Sequence, residues 1–399
     1  MKITILKEKL KTGINIVERA VSKSLGLPIL NNILIAAEKN FLNLIATDLE
    51  MGIKWQSLAK TEEIGRIAVP SRVLSSFVNF LPDKPIILET KQTSLKVICG
   101  NYQTLIKGFN PEEFPLLPVI SAEEKISVQS NVFCQGLGMV NNIASYSSTK
   151  PEISGIYFLF QKNLITLVAT DSFRLGEKKI YLSPGAVNLS KDYSFILPQR
   201  TAKEIINIFG EKQGEKQREK QREKQEGLSI VFSPNQVLFE SPSAQTAAAF
   251  PQTPQTQIVS RLIEGDYPAY QEIIPKKYNV RLFFQKKEMI NQIKLASLFS
   301  GKNNEVKIKI DSSKNRLEVF SQSPETGEHY GFLPVKIEGS FKEISFNYRF
   351  LLDGLLSLAS SSLEKEDEAV LELSGPEKPG ILRAKGDDKY LYLAMPIKS

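Results

Sequence analysis

Hydrophobic and polar residues alternate through most of this chain in short segments, which is the pattern of half-buried β-strands. Residues 42–47 and 165–170 are two such segments, and turns rich in Lys and Asn follow many of them. Longer segments place apolar residues three and four apart, as Leu10, Ile14 and Val17 do. That spacing predicts amphipathic helices. The chain is therefore predicted to be an α+β protein with helices packed on antiparallel sheets.

These patterns recur three times. The sequence LNLIATDLEMG at 42–52 returns as ITLVATDSFRLG at 165–176 and, less closely, as LEVFSQSPETG at 317–327. A second sequence follows each of them, IAVPSRVLSSFVNFL at 67–81, FILPQRTAKEIINIF at 195–209 and ISFNYRFLLDGLLSL at 344–358. Each of the latter reads as a strand, a helix-starting Pro or Asn, an Arg two residues later, and a helix. Two matched sequences at three places predict three copies of one module.

The chain length of 399 residues fits about three domains of roughly 130 residues each. The predicted modules cover residues 1–122, 125–277 and 278–399, each with two helices and many antiparallel strands. The second module also carries a low-complexity insert at 211–227 and a polar loop at 241–257. The insert is predicted to be a solvated helix extension or a disordered loop.

Composition narrows the class of protein. Apolar residues make up 42% of the chain, which is ordinary for a globular protein, and no apolar run reaches the length of about 20 residues that spans a bilayer. The first residues alternate and then become charged, unlike a signal peptide. A cytoplasmic protein is therefore expected. The formal net charge of +7 permits a polyanionic partner without requiring one.

No catalytic motif is found in the sequence. The single histidine, His329, lies in a turn-rich segment without a nucleophile pattern, and FSGKNNEV at 299–306 lacks the features of a phosphate-binding loop. Cys99 and Cys134 fall in different modules without metal-ligand spacing, so they are predicted to be buried or free thiols. The sequence predicts a non-enzymatic protein with no metal and no cofactor.

Two aspartates occupy equivalent positions in the first two modules. Asp48 and Asp171 each end a predicted strand, and Ser323 takes this place in the third module. Because equivalent places in separate modules lie far apart, the two carboxylates cannot share a reaction, which needs a separation within about 10 Å. Each is predicted to accept backbone hydrogen bonds in a turn.

Seven segments, in order along all three modules, resemble the bacterial β sliding clamp, the processivity factor of the replicative DNA polymerase. They are LPILNNILI at 27–35, ATDLEMGI at 46–53, EEFPLLP at 112–118, SGIYF at 154–158, VATDSFRLG at 168–176, LIEGDYPAYQEIIPK at 262–276 and YLAMPIK at 392–398. The resemblance implies a head-to-tail homodimer that closes around duplex DNA and tethers the replicative polymerase for processive replication.

The size of the predicted domains also fits a ring of two chains. A domain of about 130 residues is roughly 30–36 Å across, and six such domains on a circle leave a hole of about the same width. Three domains leave a hole of only about 5 Å. Duplex DNA is roughly 20 Å wide, so one chain cannot encircle it and two can.

The resemblance also implies surfaces for DNA and for a second chain. The predicted DNA-binding residues are Lys23, Ser24, Arg72, Lys150, Arg200 and Lys203, and Ser24 departs from the expected Arg. Thr104 and Ile106 are predicted to contact Leu298 and Phe299 of a second chain. An alternative is a monomeric, clamp-like scaffold that binds peptides and does not encircle DNA. The two hypotheses differ in what they require of the segment 101–109, which must be apolar enough to pair with a second chain if the ring closes.

Partner proteins of the family, including polymerase and clamp loader, dock a short peptide between the second and third modules. The implied lining residues are Ile153, Thr170, Ser172, Phe173, Arg174, Leu175, Pro268, Ile273, Asn347, Phe350, Leu393, Ala394, Met395, Pro396, Ile397 and Lys398. The chain has Ser172 and Phe173 where the family has Gly-His, Glu272 in place of a basic residue, and Ser399 in place of an apolar one. A pocket with altered, more aromatic selectivity is predicted.

Overall fold

One order of strands and helices occurs three times in the structure, a computed structural model that describes residues 1–22, 26–118, 120, 125–145, 147, 149–182, 191–210, 227–242, 254–358 and 367–397. The first copy contains β1 Lys2–Leu6, α1 Lys7–Val17, β2 Asn32–Glu38, β3 Phe41–Thr47, β4 Met51–Leu58, β5 Lys60–Glu63, β6 Gly65–Pro70, α2 Ser71–Phe80, β7 Pro85–Lys91, β8 Ser94–Cys99 and β9 Tyr102–Lys107.

The second and third copies repeat this order, except that among the described residues the second has no strand equivalent to β5. The second contains β10 Lys125–Gln129, α3 Ser130–Asn141, β11 Gly155–Gln161, β12 Leu164–Thr170, β13 Arg174–Tyr181, β14 Tyr193–Pro198, α4 Gln199–Phe209, β15 Gly227–Phe232, β16 Gln236–Pro242 and β17 Pro254–Arg261. The third contains β18 Val280–Gln285, α5 Lys286–Ser297, β19 Glu305–Asp311, β20 Arg316–Ser323, β21 Gly327–Pro334, β22 Lys336–Gly339, β23 Glu343–Asn347, α6 Tyr348–Ser357, β24 Glu368–Leu373, β25 Gly380–Ala384 and β26 Tyr390–Ala394. The predicted α+β class and threefold repeat are confirmed.

The described residues pack as two compact units. Unit 1 takes its residues from Met1–Gln135, Leu182–Lys191 and Arg200–Leu262. It holds a five-stranded sheet in the order β5-β1-β7-β8-β9 and an eight-stranded sheet in the order β10-β15-β16-β17-β4-β3-β2-β6. The antiparallel pairing of β17 with β4, in which Ile258 lies opposite Ile53, joins the second copy to the first. We call this pairing the junction of unit 1.

Unit 2 takes its residues from Gly136–Tyr181, Asp192–Gln199 and Ile263–Ser399. It holds a nine-stranded sheet in the order β14-β11-β12-β13-β26-β25-β24-β18-β22 and a four-stranded sheet in the order β21-β20-β19-β23. The antiparallel pairing of β13 with β26, in which Leu175 lies opposite Leu393, joins the third copy to the second. We call this pairing the junction of unit 2.

The helices pack on the sheets through the apolar stripes that the sequence predicts. On α1, Leu10, Ile14 and Val17 are buried. Gly13 lies on the same helix against the buried ring of Trp55, where an added Cβ would approach Cε3 of the indole to 2.4 Å. Helix and sheet can approach this closely only because residue 13 has no side chain, which is a packing reason for glycine inside a helix.

The boundaries of the three modules remain a prediction, because the shared sheets group the chain into two units rather than three. The predicted insert at 211–227 lies outside the described residues except for its last residue, Gly227. Of the predicted polar loop at 241–257, residues 243–253 lie outside the described residues.

Candidate functional site

The turn between β12 and β13 in unit 2 is held by one carboxylate. Oδ1 of Asp171 accepts hydrogen bonds from the N–H groups of Phe173 at 3.0 Å and Arg174 at 2.9 Å. The hydroxyl of Thr170 accepts from the N–H of Ser172 at 3.2 Å. The predicted turn-capping role of Asp171 is confirmed. Ser172 has a φ of 76°, a left-handed conformation that costs a non-glycine residue about 1 kcal/mol.

Phe173 projects from this turn and is exposed. Its ring stacks on Phe350 of α6, with centroids 6.4 Å apart and planes inclined by 23°. The guanidinium of Arg174 lies over the ring of Phe350, 5.1 Å from its centroid. Two aromatic rings and one cation therefore form an accessible wall, which suits an aromatic or aliphatic ligand group.

Arg174 links the turn to α6. Its Nε donates to Asp171 at 2.9 Å, and other guanidinium nitrogens bond Asp353 of α6 and donate to the carbonyl of Asn142 at 3.3 Å. Burial by itself lowers the pKa of Arg174, but Tyr392 and Asp171 outweigh that effect, so the net pKa is raised. The guanidinium is a permanent charge that holds the aromatic wall in place.

Replacing Asp171 by Ala is expected to lower the free energy of unfolding by about 2–3 kcal/mol, because two backbone donors lose their acceptor and Arg174 loses a partner. Urea denaturation followed by circular dichroism measures this loss. Asp353→Ala is the matched control, since Asp353 is half-exposed and pairs only with Arg174 among the described residues. It is expected to cost about 1 kcal/mol or less. Equal losses would show that turn capping by Asp171 contributes nothing.

The end of the chain forms the floor of the site. Beyond β26, the N–H of Met395 donates to the carbonyl of Phe173 at 2.8 Å, and the N–H of Ile397 donates to the carbonyl of Ser345 at 2.8 Å. Residues 395–397 are half-buried. The tail is therefore pinned on two sides while its side chains remain partly accessible.

An apolar cluster supports the floor. Its buried members are Val168, Leu175, Tyr270, Ile381, Leu391 and Leu393. Tyr157 and Tyr267 pack against it and stack with centroids 4.9 Å apart. The hydroxyl of Tyr267 donates to the carbonyl of Val168 at 3.5 Å, and burial raises the pKa of Tyr267, so the hydroxyl stays a donor. Sequence reasoning missed both tyrosines, although the quoted segments SGIYF and GDYPAY contain them.

The remaining predicted pocket residues of unit 2 differ in their exposure. Pro268 and Ile273 are exposed at the surface. Ile153, Thr170, Leu175, Leu393 and Ala394 are buried, so they shape the site from within rather than offer contact area. The side chain of Asn347 accepts from the N–H of Arg349 at 3.0 Å and caps α6. Lys398 and Ser399 lie outside the described residues.

The equivalent turn of unit 1, between β3 and β4, has the same capping aspartate. Oδ1 of Asp48 accepts from the N–H groups of Glu50 at 3.0 Å and Met51 at 2.7 Å, which confirms its predicted role. Its other oxygen bonds Arg200 at the start of α4, and Arg200 also donates to the carbonyl of Arg19 at 3.4 Å. The charge of Arg200, predicted for DNA, is therefore already shared with a carboxylate.

The other predicted DNA-binding residues differ in their placement. Arg72 on α2 and Lys203 on α4 are exposed, and Lys150 is exposed directly before the short 3-10 turn Pro151–Ile153. Lys23 and Ser24 lie outside the described residues. Exposed cations on helices suit contact with phosphates and carry no sequence information.

The predicted contacts with a second chain lie on β9 and after α5. Thr104 is half-buried and Ile106 is buried in unit 1, because alternate residues of β9 face its own core. The exposed residue between them is Leu105, which the sequence also offers as an apolar residue of the segment 101–109. Leu298 is exposed, and Phe299 stacks on His329 with centroids 6.0 Å apart.

Reactive groups are scarce in the part of the chain that the structure describes. Both cysteines are buried and unbridged, and burial raises the pKa of the Cys134 thiol to about 12. Such a thiol is not a nucleophile at neutral pH. No cluster of three His, Cys, Asp or Glu among the described residues could hold a metal ion. No helix among them is long and apolar enough to cross a membrane.

Each of the three copies matches one domain of a known protein family. The family models of the DNA polymerase III beta subunit match residues 1–118 with the N-terminal domain, 127–269 with the central domain and 271–398 with the C-terminal domain. Beta sliding clamps from Staphylococcus aureus and Staphylococcus epidermidis are 28% and 27% identical over 409 aligned positions. The Staphylococcus aureus alignment covers 100% of both chains.

Solved structures agree with these sequence matches. The DNA polymerase sliding clamp from Bacillus subtilis is 25% identical, with a TM-score of 0.87 over 100% of this chain and 99% of the other. A sliding clamp from Pseudomonas aeruginosa bound to griselimycin is 19% identical, with a TM-score of 0.88 over 100% of both chains. The latter similarity shows a common fold.

Proposed function

This chain belongs to the DNA polymerase III beta subunit family, and on that premise we propose that two copies close head to tail into a ring around duplex DNA, which tethers the replicative polymerase. The observation that carries the proposal is the junction pairing, which occurs once in each unit. The equivalent strands for a further junction are β9 of the first copy and β21 of the third. Both are edges of their sheets among the described strands. Pairing them between two chains closes a ring.

Exposure of equivalent side chains supports this closure. The junctions bury Val259 and Leu393, which are 8% and 1% exposed, whereas the equivalent Leu105 on β9 is 60% exposed. Gln56 on β4 is 9% exposed, and the equivalent Phe332 on β21 is 47% exposed. Large apolar side chains are thus exposed where a neighbouring copy would cover them, as expected of an interface.

The hairpins fix which residue of β21 corresponds to which residue of β4. Pro70 and Asn347, which precede α2 and α6, lie opposite Asn32 and Glu305, so Ile35 of β2 corresponds to Ile308 of β19. Leu44 and Val319 lie opposite these two residues, and Trp55 and Gly331 lie opposite Leu44 and Val319 in turn. Glu328 therefore corresponds to Gly52.

The closing strands are matched in the same way. Phe109 and Ile263 form equivalent isolated bridges to the strands that precede α2 and α4. Counting back from these bridges matches Leu105 of β9 with Val259 of β17. Because Val259 lies opposite Gly52 in unit 1, Leu105 faces position 328 of the second chain in the proposed ring, and position 104 faces position 329.

A chain with Thr104→Cys and His329→Cys is expected to form disulfide-linked dimers under mild oxidation. The corresponding pair in unit 1, Ile258 and Ile53, is of the antiparallel type that exchanges no hydrogen bonds, since Arg261 donates to Glu50 at 2.9 Å. Such pairs have Cα atoms about 4.5 Å apart, within the range that a disulfide spans. Non-reducing electrophoresis measures the product.

The matched control shifts one cysteine by one residue, from position 104 to Gln103→Cys, whose side chain lies on the opposite face and is expected to remain unlinked. Cross-linking after assembly on nicked circular DNA tests encirclement. The linked protein is expected to stay bound in about 1 M salt, where phosphate contacts are lost, and to leave when the DNA is linearised. Monomers only, at micromolar concentrations, or release from intact circles would contradict the proposal.

The proposed contacts with DNA need no sequence recognition. Arg72, Lys150 and Lys203 are exposed cations, and phosphate contacts by such groups allow a ring to slide while it remains topologically linked. The proposed function requires no catalytic residue, metal or cofactor. Because the proposed ligand is chromosomal DNA, the cytoplasm is the proposed place of action. The relatives are sliding clamps, which gives no support to a monomeric scaffold.

The site of unit 2 is the proposed docking place for peptides of the polymerase, the clamp loader and other partners. Its accessible aromatic wall of Phe173 and Phe350 and its flexible Met395 suit apolar anchors of different shapes. Griselimycin is bound by the Pseudomonas aeruginosa clamp, and it is proposed to bind this chain at the same aromatic wall and tail.

A further inference from the structure

A guanidinium group bridges two copies at the junction of unit 1. Arg200, the second residue of α4 in the second copy, bonds the capping Asp48 of the first copy. It also donates at 3.4 Å to the carbonyl of Arg19, in the 3-10 turn that follows α1. A second ion pair, between Arg19 and Glu204 at 2.9 Å, lies beside it. The guanidinium thus bridges the capped turn and the end of the first helix.

A guanidinium fills the same place at the junction of unit 2. Arg174 bonds the capping Asp171 and donates at 3.3 Å to the carbonyl of Asn142, directly after α3. Here the group comes from the turn itself, and Asp353 on the next copy's helix pairs with it. The place of the guanidinium is the same at both junctions, although a different copy supplies it.

The third copy has the turn but supplies no cation to it. The hydroxyl of Ser323 accepts from the N–H of Glu325 at 3.3 Å, as Oδ1 of Asp48 and Asp171 accepts from the N–H two residues later. Ser323 stands where the other copies have aspartate, as predicted, because Val319 on β20 corresponds to Leu44 on β3. Residues 323–327 contain no Lys or Arg, and their one charged residue is Glu325, which is exposed.

The first copy supplies the matching cation. Arg72 is the second residue of α2, as Arg200 is of α4, and its side chain is exposed. Neither Arg72 nor Glu325 forms an ion pair with another described residue. The first and third copies of one chain thus carry a cation and a carboxylate without an ion-pair partner among the described residues, and these are the two groups of an ion pair like those at the junctions.

We infer that Arg72 of one chain completes the junction between chains, by pairing with Glu325 of the other chain and donating to the carbonyl of Leu298. Leu298 directly follows α5, as Asn142 directly follows α3. The inference rests on the proposed ring and gives Arg72 a role in closing it. Because a two-chain ring has two such junctions, each bridge counts twice in dimer stability.

Charge reversal at either position is expected to weaken the dimer. Arg72→Glu and Glu325→Arg should each raise the dimer dissociation constant about tenfold, because both junctions exchange an attraction for a repulsion. The double variant, Arg72→Glu with Glu325→Arg, should return the constant to within about threefold of the unsubstituted chain. Sedimentation equilibrium measures the constants, and circular dichroism checks that these exposed substitutions leave the fold intact.

Arg349→Glu is the matched control. Arg349 holds the same position on α6, is exposed, and bonds the adjacent Tyr348 at 3.3 Å, while Arg174 already fills that junction. Its dimer constant is expected to be unchanged. A variant Arg72→Glu that dimerises normally overturns the inference and leaves the ring standing, as does failure of the double variant to recover. A monomeric unsubstituted chain overturns the proposed ring itself.

Discussion

A chain carrying Leu105→Pro is expected to be monomeric at micromolar concentrations. Directly after β9 the N–H of Gly108 donates to the carbonyl of Thr93 at 2.8 Å, and ladder bonds alternate along a strand, so the N–H of Leu105 points to the free edge. Proline removes that donor, worth about 1 kcal/mol, and an apolar contact worth roughly 1.5–3 kcal/mol. With two interfaces per ring, the dissociation constant rises at least about a thousandfold.

Sedimentation velocity over a concentration series measures this change. Leu105→Val is the matched control, because it keeps the N–H and most of the apolar contact, and it should still dimerise. The fold should survive in both variants, since an edge strand tolerates proline where the N–H faces solvent. A dimer of undiminished stability in Leu105→Pro would place the contact between chains elsewhere.

Deletion of residues 395–399 is expected to weaken griselimycin binding about a hundredfold, because two partly buried apolar side chains of the floor are lost at roughly 1.5 kcal/mol each. β26 ends at Ala394, so the nine-stranded sheet keeps all of its strands. Isothermal titration calorimetry measures the affinity. Dimerisation of the same sample, measured by sedimentation, should be unchanged because the deleted residues belong to neither β9 nor β21.

Met395→Leu is the matched control for the deletion, because it nearly conserves volume and apolar character, and it should change the affinity by less than about tenfold. Full affinity in the truncated chain would move the griselimycin site away from this surface. The proposed ring would be unaffected by that result, since closure depends on β9, β21 and the bridge at Arg72.

The sequence predicted the identity of much of the site but not how its residues meet. Phe173, Phe350 and Met395 were expected from resemblance, and the structure brings them to one surface. The stacked Tyr157 and Tyr267 were missed because they come from segments about a hundred positions apart, and periodicity reports only local geometry. Asp353 was missed for the same reason, since an isolated acidic residue on a helix has no signal for its partner.

Two residues show how tertiary structure changed the interpretation. Arg200 looked like a phosphate contact because it is a cation at a helix start, and the structure pairs it with Asp48. Ile106 looked like an interface residue because it is apolar and lies on an edge segment. In the structure its side chain is buried in the core of unit 1, and the neighbouring Leu105 is exposed. Alternation along a strand predicts two faces, but it does not say which face meets a second chain.

The sequence by itself determined the α+β class, the threefold repeat and the family, because these depend on local periodicity and on segments that recur in order. Only the tertiary structure decided which strands pair between copies, which edges remain free, and which copy supplies the guanidinium at each junction. Those features arise from contacts between residues far apart in the chain, where the pairing of whole sheets outweighs the preference of any one segment.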